Sequence, residues 1–218
     1  MAERGAPKRG RGRPAGLSAD QIVSAAIDAG LLDLNLRDVA ARLGTGVSAL
    51  YNHVDDRDDL IGRVVDQLVG QLELPQPRGQ GIEEALLELG RAARQLTLAN
   101  PGLASAMLRD PDRPSIRQKA QEGSTALTAE GADPDVSILL GSDVVFFVTS
   151  AALIAEASRS ATVRPLPAMT IAESAFLDRM ADLEPDAHFD WALRSHVRGL
   201  LASLGRGDLP WSPEHRKR

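Results

Sequence analysis

The chain has 218 residues, of which 43% are hydrophobic and 25% charged, with a formal net charge of −5. That is enough apolar material for one sizeable core or two modest ones. The absence of cysteine excludes disulfides, thiolate catalysis and cysteine-ligated zinc, and it suits a reducing cytoplasm, the expected location.

The acidic total hides a basic start. Arg4, Lys8, Arg9, Arg11 and Arg13 face only Glu3 within the first sixteen residues, and interleaved Gly and Pro forbid a stable helix there. Residues 1–16 therefore read as a flexible basic arm, with no apolar stretch that would make them a secretory signal. Arg11-Gly12-Arg13-Pro14 resembles the AT-hook element, whose extended arginines lie in a narrow minor groove. The alternative is a solubilising tail. Next, Ser18 with Gln21 three residues on forms a capping box before Ile22, Val23 and Ala26, which starts a first helix. Asn35 caps a second, whose apolar face is Leu36, Val39, Ala40 and Leu43, and Gly44 stops it because glycine takes the left-handed conformation without steric cost. From Val47 a third helix keeps Leu50 and Val54 inward and leaves Val47, Ser48, Ala49, Asn52 and His53 mostly outward. Small and polar side chains on the outer face fit a major groove.

The string Arg37-Asp38-Val39-Ala40, then Leu43-Gly44, then Leu50-Tyr51 and His53-Val54, then Arg57-Asp58-Asp59-Leu60, resembles the helix-turn-helix of the TetR family of bacterial transcriptional regulators. The resemblance runs from Leu17 to about Leu68, and the order of the motifs is more specific than any one of them. It implies an all-α protein with a three-helix DNA-binding head at 17–62 and a helical ligand-binding and dimerisation domain at 63–204. Between Ala26 and Gly30 the chain is ~4 residues shorter than the family pattern, about one turn, which predicts a stunted first helix. Arg37 can reach a guanine edge or hold a phosphate; Ser48, Ala49 and Asn52 can touch base edges. Tyr51, His53, Thr45 and Arg57 are expected at phosphates, with helix packing as the other reading of Tyr51 and His53.

Beyond the head the periodicity predicts helices from Asp56 to about Glu73, from Ile82 to Ala99, a short one through Met107, then Ser115 to about Ala129, Pro134 to Ser160, Ile171 to about Ala181, and Pro185 to Leu204. No strands are expected. Residues 205–218 read as a disordered tail. The stretch Val136 to Ile154 is apolar on nearly every side and should be buried, and its core from Val144 to Ile154 reads as too short to span a membrane, so no membrane partner is expected. Phe189, Leu193, Val197, Leu200 and Leu204 make a stripe on the last helix, assigned to a homodimer interface; filling one monomer's core is the alternative. The resemblance also implies a small-molecule cavity, with Leu103, Met107, Phe146, Phe147, Thr149, Ser150 and Glu156 as candidate lining.

No catalytic residues, cofactor or metal are assigned, and the chain reads as a non-enzyme. Glu184 with His188 and Asp186 with Asp190 stand four apart, as surface pairs do. Asp55-Asp56-Arg57-Asp58-Asp59 has the spacing of magnesium-binding helical diphosphate enzymes, but carboxylates at a helix start are favoured by dipole and capping alone. The function expected is a dimeric, nucleoid-associated repressor bound to a palindromic operator and released by a small molecule. An activator or ligand-independent DNA binder of the same fold is the alternative, with the magnesium enzyme behind it.

Overall fold

The computed structural model describes residues 17–160 and 184–207. The basic arm with Arg11 and Arg13, the expected helix at 171–181 and the tail beyond 207 lie outside them. In chain order the helices are α1 (Ala19–Ala29), α2 (Leu36–Arg42), α3 (Val47–Leu50), α4 (Arg57–Gly70), α5 (Ile82–Ala99), α6 (Leu103–Arg109), α7 (Pro114–Ala129), α8 (Pro134–Ser160) and α9 (Pro185–Gly205). There are no strands among the described residues.

Local chemistry sets the ends in the head. Ser18 Oγ accepts from the Gln21 N–H at 3.2 Å while Gln21 Oε1 accepts from the Ser18 N–H at 3.0 Å, the reciprocal capping box. Asn35 Oδ1 takes the Asp38 N–H at 2.9 Å, and Asp56 Oδ1 takes the Asp59 N–H at 2.8 Å. At the end of α2, Gly44 stands at φ +64, and the N–H groups of Gly44 and Thr45 return to the carbonyls of Ala41 and Ala40, which closes the helix end. α1 runs three turns and buries Ile22, Val23, Ala25 and Ala26 against its neighbours. α4 stops at Gly70, three residues before the expected Glu73.

Two apolar cores result. The first joins Ile22, Val39, Leu50, Leu60, Val64 and Leu68 of α1 to α4 with Leu103 and Ala106 of α6. The second joins Leu86 and Leu87 of α5, Leu127 of α7, Leu140, Val144 and Val148 of α8, and Phe189, Leu193 and Val197 of α9.

The structure corrects several expectations. Phe189, Leu193 and Val197 are buried inside a single chain, as the monomer-core alternative expects, while Leu200 and Leu204 lie half-buried at the edge of that core. A side chain already closed off by its own chain offers no surface to a second copy. α8 is not buried all round: Ile138, Phe146 (60% exposed) and Ile154 (68%) face outward, as does Trp191 (69%) of α9. By length and composition Pro134–Ala157 is also long and apolar enough to cross a membrane, contrary to the reading of its core as too short. The helix packs Val136, Leu140, Val144 and Val148 into the second core, as the central helix of a folded domain does.

Candidate nucleic-acid interface and effector cavity

The candidate reading pair, α2 and α3, lies on the first core. Leu50 and Val54 are buried and anchor α3, whose hydrogen bonding continues one turn past Leu50 through the Val54 N–H to Leu50 O at 3.0 Å. That anchor turns Ser48, Tyr51 (56% exposed) and Asn52 outward, with Arg37 exposed beside them on α2. Thr45, Ala49 and His53 are half-buried at the edge of this face, and Val47 packs partly against the core. Arg42, in the last turn of α2, is a further exposed cation that the pattern reading passed over. Arg57 is half-buried, its Nε–H donating to Leu34 O at 2.6 Å, so part of its guanidinium ties α4 to the α1–α2 connection.

The acidic cluster at the start of α4 is spent on local structure. Asp56 caps the helix, Asp59 accepts from the Asp55 N–H at 3.0 Å and pairs with Arg63 Nη2 at 3.0 Å, and Asp58 lies 3.6 Å from Arg57 Nη1. The hydrogen bond from Arg63 holds the Asp59 carboxyl below the usual carboxylate range.

Two joints connect the head to the rest, and neither was foreseen. At the first, Arg113 donates Nε–H to Asp66 Oδ1 at 3.2 Å and Nη2–H to Asp66 Oδ2 at 2.6 Å, while Ser115 Oγ donates to Asp66 Oδ1 at 2.6 Å. The guanidinium lies flat on α4 where Gly62 has no side chain; a Cβ there would stand 2.7 Å from Arg113 Cζ. The Arg113 hydrogen bond pulls the Asp66 carboxyl below its ordinary value against the opposing effect of burial. At the second joint the turn before α6 abuts the α1–α2 connection. Gly102 sits at φ +91, and a Cβ on it would lie 2.8 Å from the Leu32 backbone nitrogen. Its N–H donates to Glu156 Oε1 of α8 at 2.7 Å.

α6 itself faces both ways. Leu103 and Ala106 complete the head core, while Met107 and Leu108 line a cavity of about 250 Å³ among α4, α5, α6, α7 and α8. Leu72, Leu89, Leu96, Ile116 and Val145 make its wall apolar. Of the expected lining, Met107, Phe146 and Thr149 are there. Leu103 belongs to the head core, Phe147 stacks on His196 across α9 at 4.6 Å, Ser150 is not in the wall, and Glu156 holds Gly102. Below the cavity, Glu130 at the end of α7 gathers the linker before α5: its carboxylate accepts from the N–H groups of Arg78, Gly79 (2.9 Å) and Gly81 (2.8 Å). These bonds, Gly81 first, hold its carboxyl below the usual range.

No family model matches the chain. Among curated proteins it is 30% identical over 129 residues to a helix-turn-helix-type transcriptional regulator of Saccharopolyspora erythraea, covering 57% of this chain and 54% of that one. It is 34% identical over 118 residues to the helix-turn-helix-type transcriptional repressor DrrR1 of Streptomyces coeruleorubidus, covering 52% of this chain and 43% of that one. The chain thus spans about half the length of the curated relatives it matches. Among solved structures, apo ActR of Streptomyces coelicolor superposes with a TM-score of 0.70 at 27% identity, over 89% of this chain and all of that one; ActR is described as a TetR family protein. In sequence and fold the chain is thus similar to a TetR family protein. The TetR-family fold accounts for the order found here, a helix-turn-helix head followed by a larger all-helical region, and ActR has been solved in complex with actinorhodin.

Proposed function

We propose that this TetR-like protein is a dimeric, sequence-specific DNA-binding repressor that leaves a palindromic operator when a small molecule fills the cavity. The observation that carries the reading is the double membership of α6, which supplies Leu103 and Ala106 to the head core and Met107 and Leu108 to the cavity wall. A ligand that prefers one placement of α6 therefore shifts the head by its differential affinity and no further. The exposed Ser48, Asn52 and Arg37 are the base-reading candidates, and Tyr51, Thr45, His53 and the remaining donors of Arg57 the phosphate contacts.

Dimerisation falls to the outer faces of α8 and α9, where Phe146, Ile154 and Trp191 are exposed on neighbouring helices. Two copies pairing there form a four-helix seam and set two heads about one duplex turn, ~34–36 Å, apart. Selection of the purified protein against random duplex DNA tests the reading. A two-fold-symmetric site, bound with steep salt dependence that softens when Arg11 and Arg13 become alanine, is expected. Recovery of no preferred sequence, with weak and wholly salt-driven binding, rejects it. Replacing Trp191 and Phe146 by serine is expected to yield monomers in sedimentation and to weaken DNA binding.

A further inference from the structure

The cavity is nearly uniform in its apolar lining, so the few polar atoms in its wall decide what it accepts. The hydroxyls of Thr97 and Thr149 donate to the carbonyls of Ala93 (3.1 Å) and Val145 (2.9 Å) one turn back, and their protons are spent. The remaining donors are Lys119 of α7 and Ser142 of α8. The hydroxyl contact between Ser124 and Ser137 ties this helical hairpin together, and five residues along each helix from that contact stand Lys119 and the exposed Ser142, both in the cavity wall. Among the described residues, the lining contains no Asp, Glu, Arg or His. The Lys119 side chain is only 18% exposed, and its ammonium donates to Glu122 Oε2 at 2.9 Å, a carboxylate on the outer side that is not part of the wall.

We infer that the cavity selects a lipophilic organic anion, an apolar body carrying one acidic group that lies between the Lys119 ammonium and the Ser142 hydroxyl. This rests on the reading of the cavity as the effector site. A cationic ligand would bury its charge against an apolar wall with no partner and next to Lys119, which is the costly arrangement. A neutral acceptor would gain only the weaker, uncharged form of these bonds. An anion takes a charge-assisted hydrogen bond from Lys119, displacing or sharing Glu122, and a second from Ser142.

The test uses two fluorescent probes with the same aromatic body, 1-anilinonaphthalene-8-sulfonate and its uncharged parent N-phenyl-1-naphthylamine, titrated into the full-length protein. The sulfonate is expected to bind about tenfold more tightly than the neutral amine, one hydrogen-bonded charge being worth about that factor. Lys119→Met should remove the preference and leave the neutral probe within about twofold, while Glu122→Gln, by freeing the ammonium, should strengthen sulfonate binding. The neutral probe, expected unchanged in Glu122→Gln, separates that gain from the general rise in dye binding that a partly unfolded variant shows. Equal affinities that neither substitution alters, or tighter binding of a cationic dye such as rhodamine 6G, overturn the anion assignment while the cavity still binds ligands. Gly123→Leu, which places a side chain into the cavity wall, should abolish binding of both probes. If binding survives it, or if no probe binds to the parent protein, the effector-site reading itself fails.

Discussion

In the first core, Ile22, Val39, Leu50, Leu60 and Val64 are closed off mainly by helices close together in sequence, with Leu103 and Ala106 of α6 and the edges of α5 and α7 coming from farther along the chain. The second region is assembled from α5, α7, α8 and α9, lines a cavity of about 250 Å³, and leaves Phe146 and Trp191 largely exposed. The contrast separates two demands. On the function proposed here, a head that places Ser48 and Asn52 against DNA has to hold them rigidly, whereas a region that responds to a ligand has to keep room to repack.

The sharpest way to break this comparison is to make a hole in each region. Leu60→Ala removes a fully buried side chain from the head core and should cost about 2–5 kcal/mol in urea unfolding, with loss of DNA binding. If that loss is under about 1 kcal/mol, the head is not the tightly packed unit described. Gly102→Ala follows, because a side chain at φ +91 is strained by about 1–2 kcal/mol before its contact with the Leu32 backbone is counted. Affinity for the selected DNA site, measured where both proteins are folded, should fall as well; unchanged affinity would mean that the α6 joint does not position the head.

A smaller effect is expected from pH. The carboxyls of Asp66 and Glu130 are held low by their hydrogen bonds in the folded chain. Their contribution is complete above the ordinary carboxylate range and is lost as pH falls through that range toward the lowered folded values. Asp66→Asn and Glu130→Gln should therefore lower the thermal midpoint near neutrality yet flatten its decline between about pH 5 and about pH 3. An equally steep decline in both variants would remove these two groups from the account. Smallest of all, Ala120→Val, at the cavity wall, should change stability by less than about 1 kcal/mol, since the added methyl groups enter empty space. The same substitution in a filled core would overpack it.

How much of this was legible in the sequence follows the same division. The head could be read because its signals are local: Ser18 with Gln21, Asn35 with Asp38 and Gly44 at its turn each act within a few residues. Periodicity on α9 correctly marked Phe189, Leu193 and Val197 as a buried face, but a period says that a face is covered and not by which chain. The cavity wall depends on how distant helices stack, so Phe147, next to Phe146, fell on the α9 side instead. The Arg113–Asp66 pair and the Gly102–Glu156 bond join residues 47 and 54 positions apart, and neither leaves any local trace.

The hold of Glu130 on residues 78–81 has a mechanical consequence. With that linker fastened to the end of α7, and Arg113 clamped on Asp66 near the same end of α4, the stretch toward Arg57 is placed to act as a lever arm whose fulcrum lies away from α2 and α3. The helical residues from Arg57 to Asp66 span about 15 Å, so a tilt of about 5° at the clamp carries the far end of α4 through about 1 Å. On the proposed dimeric reading, that displacement would be doubled across the pair of heads, which is how a small molecule in a small cavity would compete with a duplex.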